Sequence, residues 1–96
     1  MPAVCRIGDA DVPHCSGMVR FTGSSNVFVN GIEVSRQTDI NTVHLLPPRP
    51  CPSHVAPITT GSLIVRVNGL GCGRIGDSIT GCTFVAEGSE NVFAGG

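Results

Sequence analysis

The chain contains no tryptophan and no tyrosine, and its only aromatic residues are four phenylalanines. Lysine is also absent: the six cationic side chains are all arginines, set against seven carboxylates for a net charge of −1. Each lack excludes something. Without large aromatics, the core must be packed by Val, Ile and Leu, each stabilising by roughly 1.5–3 kcal/mol when fully buried. A chain of 96 residues buries only about two-thirds of its unfolded surface, so a staple such as a metal, disulfides or a partner is expected. Without a basic stripe, binding to a nucleic-acid backbone is not expected. No apolar run approaches the ~18 residues a membrane-spanning helix needs. The opening "MPAVCRIGDAD" lacks a basic stretch followed by an apolar one, so no signal peptide is expected and the chain reads as made and folded in a cytosol. Five cysteines is an odd number, and with no secretory signal a full disulfide framework is not expected. A metal held by some of them is the better staple.

Glycine (13) and proline (7) are plentiful, while strong helix formers are scarce. That balance favours short strands and tight turns. It also carries an internal repeat. "RIGDADVPH" (6–14), "RQTDINTVH" (36–44) and "RIGDSITGC" (74–82) each place Asp three residues after Arg and a His or Cys five residues after the Asp. "GSSNVFVNG" (23–31), "GSLIVRVNG" (61–69) and "GSENVFAGG" (88–96) each start Gly-Ser and end in a glycine turn. The copies span approximately 5–31, 35–69 and 73–96 of a single 1–96 domain. Alternating apolar residues predict strands, and Asn30-Gly31 and Asn68-Gly69 suit type I′ turns, so "VFVNGIEVSR" and "VRVNGLGCGR" read as hairpins. Arg6, Arg36 and Arg74 recur beside Asp9, Asp39 and Asp77, which reads either as a surface pair or a turn-capping Asp, or as a repeated ion pair that fixes each loop. Three copies in so short a chain predict an all-β, pseudo-threefold object in which three hairpins lean together and equivalent loops meet near the axis.

That geometry gathers His14, His44 and Cys82, the residues five after each Asp. The insertion in the middle copy, "LLPPRPCPSH", ends at His54, which completes a set of His14, His44, His54 and Cys82 and uses every histidine in the chain. Imidazoles with one thiolate suit tetrahedral Zn²⁺, with iron as the alternative, and four protein donors leave no position for a reactive water. Cys51 and Cys15 are the rival donors. Cys5 and Cys72, each just before an Arg-Ile-Gly-Asp run at near-equivalent positions, read as small apolar core residues.

Taken in order, "MPAVCRIGD", "NGIEV", "NGLGCGRIGD", "GSSNVFVNG" and "GSENVFAGG" resemble the PAAR-repeat proteins over essentially the whole chain, although "EVSR" and "GCGR" stand where the Pro-Ala-Ala-Arg motif would be and "RQTD" lacks the usual glycine. The resemblance implies a small pointed cone of β-hairpins with a zinc near its apex, bound by three His and one Cys that fall on His14, His44, His54 and Cys82. It implies a non-enzymatic tip seated on a trimeric β-helical spike of a contractile injection machine. The setting would be the baseplate of a tailed phage virion, or a type VI secretion spike, with the target outer membrane as the object pierced. No nucleic acid and no small-molecule substrate are implied. An adaptor that attaches effector cargo to such a spike is the alternative within the family. The three Gly-Ser stretches (23–29, 61–67, 88–94) are the candidate strands for covering the spike's open edges. Two readings from other classes are a metal hydrolase and a zinc-ribbon-like nucleic-acid module. A closed donor shell argues against the first, and the charge balance against the second.

Overall fold

The computed structural model describes residues 1–13, 16–45 and 53–96. Among them there is no helix, and eight two-residue strands form four antiparallel hairpins. β1 (Phe28–Val29) pairs with β2 (Ile32–Glu33), and β3 (His44–Leu45) with β4 (Ser53–His54). β5 (Arg66–Val67) pairs with β6 (Leu70–Gly71), and β7 (Ser78–Ile79) with β8 (Thr83–Phe84). The expected Asn-Gly turns join β1 to β2 and β5 to β6. Their φ values are 56° and 77° at Asn30 and Gly31, and 54° and 79° at Asn68 and Gly69. Both central positions of a type I′ turn need positive φ, which asparagine tolerates and glycine adopts freely.

Strands of two residues cannot hold a fold by their own ladders. The holding is done between copies. Cys5 N–H donates to Gly73 O (3.0 Å), Gly73 N–H to Ser35 O (3.0 Å) and Ser35 N–H to Cys5 O (3.1 Å). These three bonds form a closed cycle with one member from each copy. Bridges between Val4 and Arg74, Arg6 and Val34, and Arg36 and Cys72 repeat around it. The cycle is tight: a Cβ on Gly73 would lie 2.6 Å from Ser35 O and 2.7 Å from Cys5 Sγ. A side chain fits at two of the three positions, and the third is glycine. Two apolar clusters make up the core, and Cys5 of the cycle belongs to the second. Val4, Val34, Val67, Cys72 and Ala94 form one; Cys5, Ala56, Ile58, Ile79 and Val85 form the other. Cys5 and Cys72 are both buried, as expected of core residues, but they are one register step apart. The cyclic counterparts of Cys5 are Ser35 and Gly73, and those of Cys72 are Val4 and Val34. Burial pushes both thiols up, which keeps them protonated and unreactive.

The Arg/Asp motif is a turn cap and a loop-fixing ion pair at once, and it is not a surface pair, since Asp9, Asp39 and Asp77 are buried. In each loop Asp Oδ2 accepts the backbone N–H of the Arg three residues before it, at 2.8, 2.7 and 2.7 Å. The same carboxylate takes a two-pronged contact from that guanidinium, with Nε–Oδ2 at 2.9, 2.8 and 3.2 Å and Nη2–Oδ1 at 3.1, 3.2 and 3.0 Å. Planar fork-to-fork pairing of this kind fixes orientation as well as charge. The remaining Nη1 donates to a turn acceptor: Asn30 Oδ1 for Arg6, Asn68 Oδ1 for Arg36, and Gly95 O for Arg74.

The Gly-Ser stretches depart from the expectation of three strands. Only Phe28–Val29 and Arg66–Val67 within them are strand. Buried Ser24, Ser62 and Ser89 each accept, through Oγ, the backbone N–H groups two and three residues on. Those donors are thereby taken from any ladder and the chain turns. Each Oγ then donates to the turn of another copy: Ser24 to Asn68 Oδ1 (2.6 Å), Ser89 to Asn30 Oδ1 (2.6 Å) and Ser62 to Gly95 O. A second cycle therefore closes around the molecule, made by side chains.

Candidate metal centre

Beyond the second apolar cluster, two hairpins bring their side chains together. In β3 and β4, His44 lies directly opposite His54. Residues so placed share one face of the pair and their side chains touch; the ring centroids are 4.2 Å apart with an interplanar angle of 66°. The β7–β8 turn supplies the third residue. Gly81 takes a φ of 76°, and Cys82 N–H donates to Ile79 O at 2.8 Å. Cys82 Sγ then lies 3.1 Å from His44 Nε2 and 3.4 Å from His54 Nε2. The candidate donor atoms of the three residues all lie within 4.8 Å of one another. A tetrahedral zinc with Zn–N near 2.0–2.1 Å and Zn–S near 2.3 Å separates its donors by about 3.3–3.6 Å. The spacing fits one ion.

The proton on His44 is also placed correctly. Its Nδ1 lies 2.7 Å from Thr42 O. A carbonyl oxygen only accepts, so Nδ1 carries the hydrogen and the Nε2 lone pair faces Cys82. A ring held in this way by its second nitrogen is the usual arrangement of a metal-bound histidine. His44 is buried and Cys82 half-buried. Burial pushes the Cys82 thiol up, and Asp11 adds to this, while Asn41 and Arg20 pull it down. A metal must therefore displace a proton to gain the thiolate.

His44, His54 and Cys82 are thus brought together as the repeat and the middle insertion imply. His14 lies outside the described residues, as do the rival donors Cys15 and Cys51. Three residues beneath the site were missed by sequence reasoning: Asp11, Arg20 and Asn41. Arg20 Nη2 lies 3.1 Å from Asp11 Oδ2, and both side chains are completely buried. Asn41, also fully buried, donates from Nδ2 to Asp11 Oδ2 at 3.1 Å. The signal was present in the repeat: Asp11 and Asn41 share the position held by Ile79, two residues after the conserved-register Asp of each copy.

Comparison with known proteins finds no family model that matches this chain and no curated protein that matches it.

Proposed function

We propose that the protein is a non-enzymatic, PAAR-like tip that caps the end of a trimeric β-helical spike in a contractile injection apparatus, with a zinc ion stapling its apex. The observation that carries this reading is the closed hydrogen-bond cycle of Cys5, Ser35 and Gly73. One chain with three near-equivalent copies around a common axis matches the symmetry of a trimer end, where three strand edges need covering at once. The Cα envelope measures 38 × 23 × 22 Å: one long dimension and two nearly equal ones, as a cone on such an axis would have.

Apolar side chains are exposed on both the Gly-Ser side and the metal side, and each set suits this role. On the Gly-Ser side, Phe28, Leu63, Ile64 and Phe93 are all about half exposed or more, giving apolar area for a partner. On the metal side, Val12, Phe21, Val43, Val55 and Phe84 are exposed, while Asp11 and Arg20 are buried against each other. Flanks with exposed apolar groups and few charges cost little to drive into a lipid bilayer, whereas charges there are expensive. Zinc fits the donor set best, with iron as the alternative. The closed shell expected with His14 leaves no site for a bound nucleophile, which is why catalysis is not part of the proposal. The setting is a phage tail baseplate or a type VI secretion spike.

The test is assembly. Mixed with a purified trimeric β-helical spike protein, the chain should form a complex of one copy per trimer, read by native mass spectrometry. A chain that stays free of every such spike, or binds three copies per trimer, would defeat the reading.

A further inference from the structure

The second apolar cluster contains a polar core that its packing does not require. Asp11, Asn41 and Ile79 hold the same place in the three copies, and so do Arg20, Ile58 and Val85, whose backbone N–H groups donate to Asp9 O, Asp39 O and Asp77 O in turn. Ile79, Ile58 and Val85 are buried and apolar, so hydrocarbon fits these positions. The other three are a charged pair and an amide. The pair is poorly satisfied: Asp11 Oδ1, Arg20 Nε and Arg20 Nη2 lack an aligned hydrogen-bond partner among the described residues. Buried ion pairs can often be replaced by apolar residues without loss of stability. Polar groups that break the local packing rule are expected where there is a site to serve.

Asn41 is what the pair touches. Its orientation is fixed, because Ala56 N–H can only donate and lies 2.9 Å from Asn41 Oδ1. Nδ2 therefore faces Asp11 Oδ2 at 3.1 Å, Met18 Sδ at 3.3 Å and Cys82 Sγ at 4.0 Å. All three are acceptors. One side chain thus joins Asp11 and Met18 of the first copy, Ala56 beside His54 in the second, and Cys82 of the third. A thiolate is a stronger acceptor than a thiol, and contacts to a charged partner are shorter.

We propose that Asn41 is a positioning residue of the metal centre: its Nδ2 amide, aimed by the Asp11–Arg20 pair, donates to the Cys82 thiolate and sets that ligand's direction and electron density. This rests on the reading of His44, His54 and Cys82 as metal ligands. Such outer partners typically alter metal affinity 10–100-fold.

Cobalt(II) loaded into the full chain reports on the thiolate directly, through its sulfur-to-cobalt charge-transfer band. In Asn41→Leu, which copies the shape of the Ile79 position, the band should move to lower energy and cobalt affinity should fall at least 10-fold, about the low end of that range. The metal-free Asn41→Leu protein loses the acceptor of the Ala56 N–H and a donor to Asp11 and should melt below wild type; the band, which a merely structural amide would not move, separates the two roles. Asn41→Ala, which removes the amide without adding volume, serves if Asn41→Leu does not fold, and must move the band the same way. A band that stays put with unchanged affinity overturns the inference and leaves the metal site standing. A wild-type protein with no charge-transfer band removes both.

Discussion

Cys82 Sγ lies 3.1 Å from His44 Nε2 although the two residues are 38 positions apart in the chain. Nothing local forces that approach; it is made by the folding of two copies against each other. The first prediction follows from it. Metal analysis of the purified protein should give about one zinc or iron per chain, and Cys82→Ala should lower both metal content and melting temperature. Structural zinc sites contribute on the order of 10 kcal/mol. Even a loss of about 3 kcal/mol corresponds to roughly 12–24 °C in a domain of this size. Full metal retention in Cys82→Ala would move the thiolate role to Cys51 or Cys15.

Burial pushes the Cys82 thiol up, so the metal-free protein holds that proton at neutral pH. Binding must release it. Above the range in which imidazoles titrate, zinc affinity should rise about tenfold per pH unit, and one proton per metal should appear in weakly buffered solution. A competition titration across pH 7–8 reads the slope, and a flat profile would exclude Cys82 as a ligand.

The Arg36–Asp39 loop should give the protein an acid-sensitive component. Burial alone would raise the Asp39 carboxyl, but the Arg36 guanidinium and backbone N–H and the Thr22 hydroxyl outweigh it and hold the group below its ordinary 3.8. A carboxylate depressed in the folded state stabilises it above the unfolded value and loses that effect as pH falls through the folded value. Asp39→Asn should therefore cost about 1–3 kcal/mol at pH 7, and the gap from wild type should narrow below about pH 4. Urea denaturation at several pH values measures it, and a gap that does not change with pH would refute the assignment.

Gly73→Ala should be among the most damaging single substitutions. Its Cβ would sit 2.6 Å from Ser35 O, and that oxygen is backbone. Relief requires opening the Cys5–Ser35–Gly73 cycle, with a cost of about 3 kcal/mol or more expected from strain and lost hydrogen bonds. Amide exchange in the wild-type protein should find these three N–H groups among the slowest.

The buried Arg20–Asp11 pair separates single from double substitutions. Asp11→Ala leaves a buried guanidinium unpaired and should cost about 3–5 kcal/mol. Asp11→Leu with Arg20→Met removes both charges and should lie within about 1 kcal/mol of wild type, or above it, when measured without metal.

Much of this was legible in the residues. Asn30-Gly31 and Asn68-Gly69 announced their hairpins because few other pairs adopt positive φ twice in succession. The Arg/Asp motif was visible because it is chemically identical in all three copies. His44 and Cys82 could be matched because both are metal donors, although they differ in type. Two features stayed hidden for physical reasons. The polar core beneath the site is Asp, Asn and Ile at one position and Arg, Ile and Val at the other, so alignment by residue type passes over it. The Gly-Ser stretches read as strands by alternation, and nothing in that pattern reveals that the serine hydroxyls capture the N–H groups a ladder would use.

The closed cycle at the centre also has a mechanical meaning. In a linear sheet, a pull on the outermost strand peels it away one bond at a time. Here Cys5, Ser35 and Gly73 each bond to both of the others through main-chain atoms, and there is no outermost member at which peeling could start. Load on any one of the three is shared with the other two, so the cycle yields by losing several bonds together or not at all.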